Sequence, residues 1–345
     1  MTTMPQPRST RVTVGVDTHA EVHVAVAKDA FGRRLDATSV PTTPAGYAEL
    51  LGWAQRLGQP DAWGIEGTGS FGAGLARFLR AHGQVVVEVN RPDRQARRRR
   101  GKSDPLDAEA AARAVQAHEG SLPKAGEGQV EMIRSLRVAR ASAIKARTQA
   151  INALKALLVT APAELREQLR GLSSVRLVHT AAELEPGPVT TPVAAAMLGL
   201  RTLARRYQAL SAEITTLDVE LDRLTRTTAP KLLALFGVGA DSAGALLVAA
   251  GDNPERLRSD AAFSMLCGAS PIEASSGKTR RHRLNRGGDR QANAALHRIV
   301  VARLRHDHKT QDYLARRISQ GKSKKEAIRC LKRYVAREVF AVLPQ

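Results

Sequence analysis

The chain reads as an α/β domain followed by helical regions, and three observations predict this. Residues 11–40 hold three successive runs of strand-like alternation. Residues 46–116 interleave helical apolar spacing with short apolar strand runs. From residue 130 onward the apolar spacing is mostly three and four, the period of a helix. A mixed sheet with helices packed on it is the arrangement that buries such a first domain.

Each element has its own signal. In RVTVGVD (11–17), Val12, Val14 and Val16 face one side while Thr13, Gly15 and Asp17 face the other. VHVAVAK (22–28) alternates again, and Asp29–Gly32 turns the chain into a third run, RRLDATSV. Short links predict an antiparallel meander. A helix is expected over 46–57, a strand over 61–67 and a helix over 73–82 closed by Gly83. A buried strand over 84–90 and a helix from Pro105 complete the domain.

SLPKAGEGQ (121–129) reads as a linker. Residues 130–160 and 193–228 read as long helices, the second with Ile214, Leu217, Leu221 and Leu224 on one stripe, separated by the breaker EPGPVTTP (185–192). Their pairing predicts an antiparallel helical hairpin or coiled coil. The expected domains are therefore 1–120, 121–229 and 230–345.

The 345 residues carry 53 Lys+Arg against 33 Asp+Glu, a formal net charge of +20. This favours a polyanionic partner and argues against a generic small-molecule enzyme. The excess is uneven: residues 256–345 hold 21 basic and 7 acidic residues, net +14. A second knot is Arg91, Arg94, Arg97, Arg98, Arg99, Arg100 and Lys102. Binding through such residues releases counterions and is strongly salt-dependent. With 43% apolar residues the chain is no disordered basic tail, and with 3% aromatics it is not expected to rely on base stacking. Two cysteines exclude a disulfide scaffold and a four-thiolate zinc site. MTTMPQPRSTR has no apolar core of a secretory signal, and the apolar window 232–250 is broken by Gly-Val-Gly into segments too short to span a bilayer. The expected compartment is the cytoplasm, with no membrane partner.

Four acids of the first domain fall at element ends: Asp17 after the three valines, Glu66 in GIEGTGSFG, and Asp104 and Asp107 in KSDPLDAEAAARAV. Gathered at one sheet edge they would need a counter-charge, and carboxylate oxygen suits Mg²⁺ or Mn²⁺. Two such ions can assist phosphoryl transfer. Each acid also has a structural reading: Asp104 before Pro105 fits an N-cap, Asp107 a position in the first turn, and a lone Asp after a strand a turn former. His19, two residues from Asp17, is read as part of a surface turn within reach of the acids. His306 and His308 are read on one helix, pointing apart.

VGVDTH, GIEGTGSFG and KSDPLDAEAAARAV resemble the RuvC-like, RNase-H-like half of the DEDD transposases of bacterial insertion sequences, the bridge-RNA-guided recombinases. The resemblance continues through the C-terminal half. It implies that Asp17, Glu66, Asp104 and Asp107 form the metal-binding tetrad. It implies a catalytic serine in a C-terminal transposase domain, a double-stranded DNA partner (element ends, donor and target) and a noncoding bridge RNA. It further implies a homo-oligomer, dimers pairing into a tetramer, acting at the nucleoid.

In the C-terminal region, KLLALFGVGADSAGALLVAAGD (231–252) has a helix-hairpin-helix pattern. Gly237 and Gly239 allow a turn whose N–H groups face a phosphate, or a tightened core hairpin. The Ser-Gly-Lys element of the family matches Ser275-Ser276-Gly277-Lys278, and its R-G-D/N-R element matches Arg286-Gly287-Gly288-Asp289-Arg290, with one extra glycine. Ser276 is the first candidate nucleophile and Ser275 the second; a serine-glycine turn with local hydrogen bonds is the structural alternative. Lys278, Arg280, Arg281, Arg283, Arg286 and Arg290 are candidate phosphate contacts. Lys322, Lys324, Lys325, Arg329, Lys332 and Arg333 are read as one basic helix. The rival functions are a junction-resolving nuclease that uses the four acids and water, and a noncatalytic nucleic-acid-binding protein.

Overall fold

The computed structural model describes residues 11–89, 103–279 and 282–344. The chain forms two compact units: one runs to Gly128 and takes in Ala250–Arg258, the other comprises Gln129–Ala249 and Ser259–Pro344.

The first unit is built on five strands: β1 (Arg11–Thr18), β2 (Val22–Asp29), β3 (Arg34–Pro41), β4 (Gln59–Glu66) and β5 (Val86–Val89). Their order across the sheet is β3-β2-β1-β4-β5. The first three form the expected antiparallel meander, and β4 and β5 run parallel to β1. Helices α1 (Pro44–Leu57) and α2 (Ala73–Ala81) cover one face, where Val12, Val14 and Val16 join Leu50, Trp63, Ile65, Leu75 and Leu79 in a buried core. The alternation in the first run is thus the imprint of a two-faced sheet.

The opposite face takes α3 (Asp104–Gln116). Gly15 and Gly64 are paired neighbours on β1 and β4. A Cβ on Gly15 would lie 2.0 Å from the Ala108 carbonyl oxygen, and one on Gly64 2.6 Å from that of Ala111. The two glycines make a flat strip on which the alanine side of α3 rests at backbone distance. Buried Lys28 of β2 holds the helix through Glu109, which also takes Arg113. The expected linker at 121–129 is pinned within this unit: Asn253 accepts from the Ala125 N–H and donates to the Pro123 carbonyl, and Arg256 donates to Leu122.

The second unit contains the long helices α4 (Gln129–Thr160) and α7 (Pro192–Thr228). Thr228 bonds Gln129, Arg140 pairs with Asp218 and Leu157 lies beside Gly199, a register that runs antiparallel. Thr191 and Pro192 start α7 as N-cap and first-turn proline. Between the long helices, α5 (Ala163–Leu169) and α6 (Ser174–Ala182) bury Leu165, Leu169, Leu177 and Val178 against Leu154 and Leu200.

The chain continues through α8 (Pro230–Leu233), α9 (Ala240–Ala250), α10 (Asp260–Leu266), the two-residue strands β6 (Ile272–Glu273) and β7 (His282–Arg283), α11 (Arg290–His306), α12 (His308–Ser319) and α13 (Lys324–Val342). Strands β6 and β7 pair antiparallel as a small hairpin, Ile272 with Arg283 and Glu273 with His282. Two sequence expectations shift. Asp307 ends α11 and caps α12, so His306 and His308 lie on different helices. Lys322 precedes α13 instead of lying on it. Among the described residues, no helix is long and apolar enough to cross a membrane.

Candidate functional site: an acidic sheet edge and a basic groove

The parallel pairing of β1 and β4 puts their C-terminal ends side by side; its last pair is Val16 with Ile65. Asp17 and Glu66 are the next residues on each strand. Thr18 fastens the strand ends together by donating to the Glu66 carbonyl, 2.8 Å away. Helix α3, seated on Gly15 and Gly64, delivers its N-terminal turn with Asp104 and Asp107 to the same edge. The positive end of its dipole partly offsets the acids there.

Asp17 is buried. Its pKa is raised, first by burial, while His19 lowers it and the charges of Asp107, Glu66 and Asp104 raise it further. The four acids therefore share one electrostatic site. His19 contributes as well: its Nε2 lies 3.1 Å from Asp17 Oδ2 and 3.5 Å from Asp104 Oδ1. His19 stands in the turn that follows β1, partly exposed, and from there its imidazole reaches both acids. One ligand atom each from Asp17, His19 and Asp104 lies within 4.8 Å of the others, a triad able to hold a metal ion. The capping reading of Asp104 is corrected. Ser103 occupies the N-cap position and Asp104 is the first helical residue.

In the second unit, Ser276 and Thr279 exchange both backbone hydrogen bonds, at 3.1 and 3.0 Å, around Gly277-Lys278. Gly277 has φ +55°, the positive value that this two-residue turn requires at its first central position. Ser275, Ser276 and Lys278 are all exposed at the tip of the hairpin. Beside the hairpin's base, a groove of about 1010 Å³ gathers Arg283, Arg286 and Arg290 with His297, Arg329 and Lys332. The extra glycine has a function here: a Cβ on Gly288 would sit 2.3 Å from the Gly268 nitrogen. Asn293 ties the groove floor together. Its amide donates to the carbonyls of Cys267 and Gly268, and its oxygen accepts from Lys332 at 2.7 Å. Burial lowers the Lys332 pKa, with Arg329 adding to it.

Gly237 (φ +80°) packs its turn against Ile299 and Arg303 of α11, whereas Gly239 opens on free space. Arg97, Arg98, Arg99, Arg100, Lys102, Arg280 and Arg281 lie outside the described residues.

Residues 14–161, which include all four acids, match the family model of IS110 DEDD transposases, described as Transposase. Residues 229–315, which include both serines, match the model described as Transposase IS116/IS110/IS902 family. The chain belongs to the IS110 transposase family. A probable family 20 transposase from Pseudomonas aeruginosa is 28% identical over 183 residues, 52% of this chain and 52% of that protein. The chain thus spans about half the length of that relative. In this IS110-family chain the acidic edge lies in the first matched region and the serine hairpin in the second, while Arg329 and Lys332 of the groove lie beyond it.

Proposed function

We propose that this IS110-family chain is a DNA transposase, a recombinase of an insertion sequence. Asp17, Glu66, Asp104 and Asp107, with His19 beside them, would hold divalent metal, and Ser276 would be the nucleophile. The observation that carries the reading is the convergence of four acids and one imidazole on the edge made by β1, β4 and α3. The donor set fits a hard divalent cation: mostly carboxylate oxygen, with one buried carboxylate whose charge is disfavoured while it is uncompensated. A bound Mg²⁺ or Mn²⁺ would supply Lewis-acid stabilisation of phosphate oxygens.

In the proposed reaction the Ser276 oxygen bonds to a DNA phosphorus and the bond from that phosphorus to the 3′ oxygen breaks. The 3′-hydroxyl leaves with a proton and the serine proton passes to solvent. The 5′-phosphoserine keeps the phosphodiester's bond energy for rejoining, when a 3′-hydroxyl attacks and frees the serine. Lys278 and Arg283 would hold nonbridging oxygens. Ser275 is the second candidate. The exposed turn at Gly277 supports this reading because it leaves the hydroxyl accessible to a polymer substrate.

A noncoding bridge RNA pairing with donor and target DNA fits a chain with net charge +20 and 3% aromatics, which delegates base reading to pairing. We assign it a homo-oligomer as well, dimers pairing into a tetramer, acting at the nucleoid. The test is recombination of the element's ends by purified protein with Mg²⁺. Strand exchange should need both the divalent ion and copurified RNA. Exchange in EDTA, or without RNA, contradicts the corresponding part.

A further inference from the structure

Aromatic residues are scarce in this chain, and only four are tyrosines. Two of them, Tyr313 of α12 and Tyr334 of α13, meet edge to face at 5.5 Å with an interplanar angle of 80°. Tyr334 is 47% exposed. Around them Arg316, Arg317, Arg333 and Arg337 line a pocket of about 450 Å³. The spacing explains the cluster: Tyr313, Arg316 and Arg317 fall on one stripe of α12, and Arg333, Tyr334 and Arg337 on one stripe of α13.

Among the described residues, one acid pairs with these four guanidiniums. Arg333 and Arg337 share Asp260. Arg316 lies 5.5 Å over the Tyr313 ring. Arg317 donates to Gln320 through Nη1, but its Nε is buried without a hydrogen-bond partner. Among the described residues neither Arg316 nor Arg317 pairs with a carboxylate, which leaves their charge uncompensated.

We propose that this pocket binds an unpaired nucleotide of a nucleic-acid strand, with the base stacked on Tyr334 and the phosphate held by Arg316 and Arg317. Planar guanidinium forks match phosphate geometry, and an exposed tyrosine ring accepts any base. The pocket is too small to admit a double helix. The site is separate from the serine hairpin and rests only on the nucleic-acid-binding part of the function proposed above.

The test is fluorescence anisotropy with labelled oligouridine and oligothymidine of about ten nucleotides, alongside a mixed-sequence DNA duplex. Tyr334→Ala should weaken single-strand binding roughly tenfold and leave duplex binding within about twofold. Tyr334→Phe, which keeps the ring, should bind as the native chain does, and Arg317→Ala should lower the salt dependence. A selective loss for oligouridine identifies RNA as the source of the nucleotide, and one for oligothymidine identifies single-stranded DNA. Native single-strand affinity in a folded Tyr334→Ala, or equal losses on single strand and duplex, overturns the proposal. Failure of the native protein to bind the duplex would count against the transposase reading instead.

Discussion

The Gly15 backbone of β1 lies so close to Ala108 of α3 that a Cβ on Gly15 would stand 2.0 Å from the Ala108 carbonyl oxygen. That contact sets how closely α3 lies on the sheet, and so where Asp104 and Asp107 meet Asp17. Gly15→Ala must push the helix off the sheet, because the obstructing atom is backbone. Overpacking of this kind costs about 3 kcal/mol. Thermal melting should show the loss, and Mn²⁺ affinity should fall with it. Native melting and native Mn²⁺ affinity in Gly15→Ala would contradict this account of the site's placement.

His19 bridges Asp17 and Asp104. Calorimetric titration should show Mn²⁺ binding weakened roughly tenfold in His19→Ala, as when a ligand or its support is lost. Asp17→Asn should remove binding while raising the melting temperature in EDTA. The sign follows from the raised Asp17 pKa, caused first by burial and then by the neighbouring acids. A carboxyl raised on folding opposes folding once ionised, and the penalty vanishes as pH falls below the ordinary aspartate range of about 3.9. The gain in Asp17→Asn should therefore be present at neutral pH and absent near pH 3. A lower melting temperature at neutral pH would contradict it.

Asp241, at the start of α9, is gripped by two helices. Arg137 of α4 donates to its carbonyl and its Oδ1, both at 2.6 Å, and Arg298 of α11 to its Oδ2 at 2.7 Å. Burial would raise its pKa, but these arginines and Arg140 hold it below the ordinary carboxylate range. Asp241→Asn should cost about 1–2 kcal/mol at pH 7, allowing for its partial exposure. A depressed carboxyl contributes stability above its unfolded pKa and loses it as pH falls through the folded value. Urea melts of native and variant chains should converge below about pH 4. An unchanged difference there would show that the carboxylate charge is not what joins the helices.

Arg283, Arg286 and Arg290 face the same groove. If each holds a phosphate, replacing it with alanine should weaken duplex binding on all sequences alike. It should also lower the slope of log affinity against log salt by about 1. Filter binding across a salt series measures this, and an unchanged slope removes the residue from the interface.

The α/β frame was legible because its signals are local. Val12, Val14 and Val16 alternate in a run that could be nothing but a two-faced strand, and EPGPVTTP breaks the long helices at a visible point. What escaped was set by contacts distant in sequence. His19 reads as a turn residue within reach of Asp17, but only the packing of α3 adds Asp104 to its contacts. Asp104 reads as a cap because Asp-Pro is a common helix start, yet Ser103 takes that position. The weak helices α5 and α6 form because Leu165 and Leu177 have the hairpin to pack on. Gly288 looks like an insertion until Gly268 is seen against it. The tyrosine-arginine stripes of α12 and α13 are visible in the sequence at helical spacing; a low aromatic total hid their concentration in one place.

The central claim is tested most directly by mass spectrometry of the covalent product. Protein incubated with element DNA and Mg²⁺, denatured and digested, should yield a peptide carrying a nucleotide 5′-phosphate on Ser276. The adduct should vanish in Ser276→Ala and in Asp17→Asn. Cleaved DNA with no protein-linked 5′ end, or an adduct that persists in Ser276→Ala, would contradict the account.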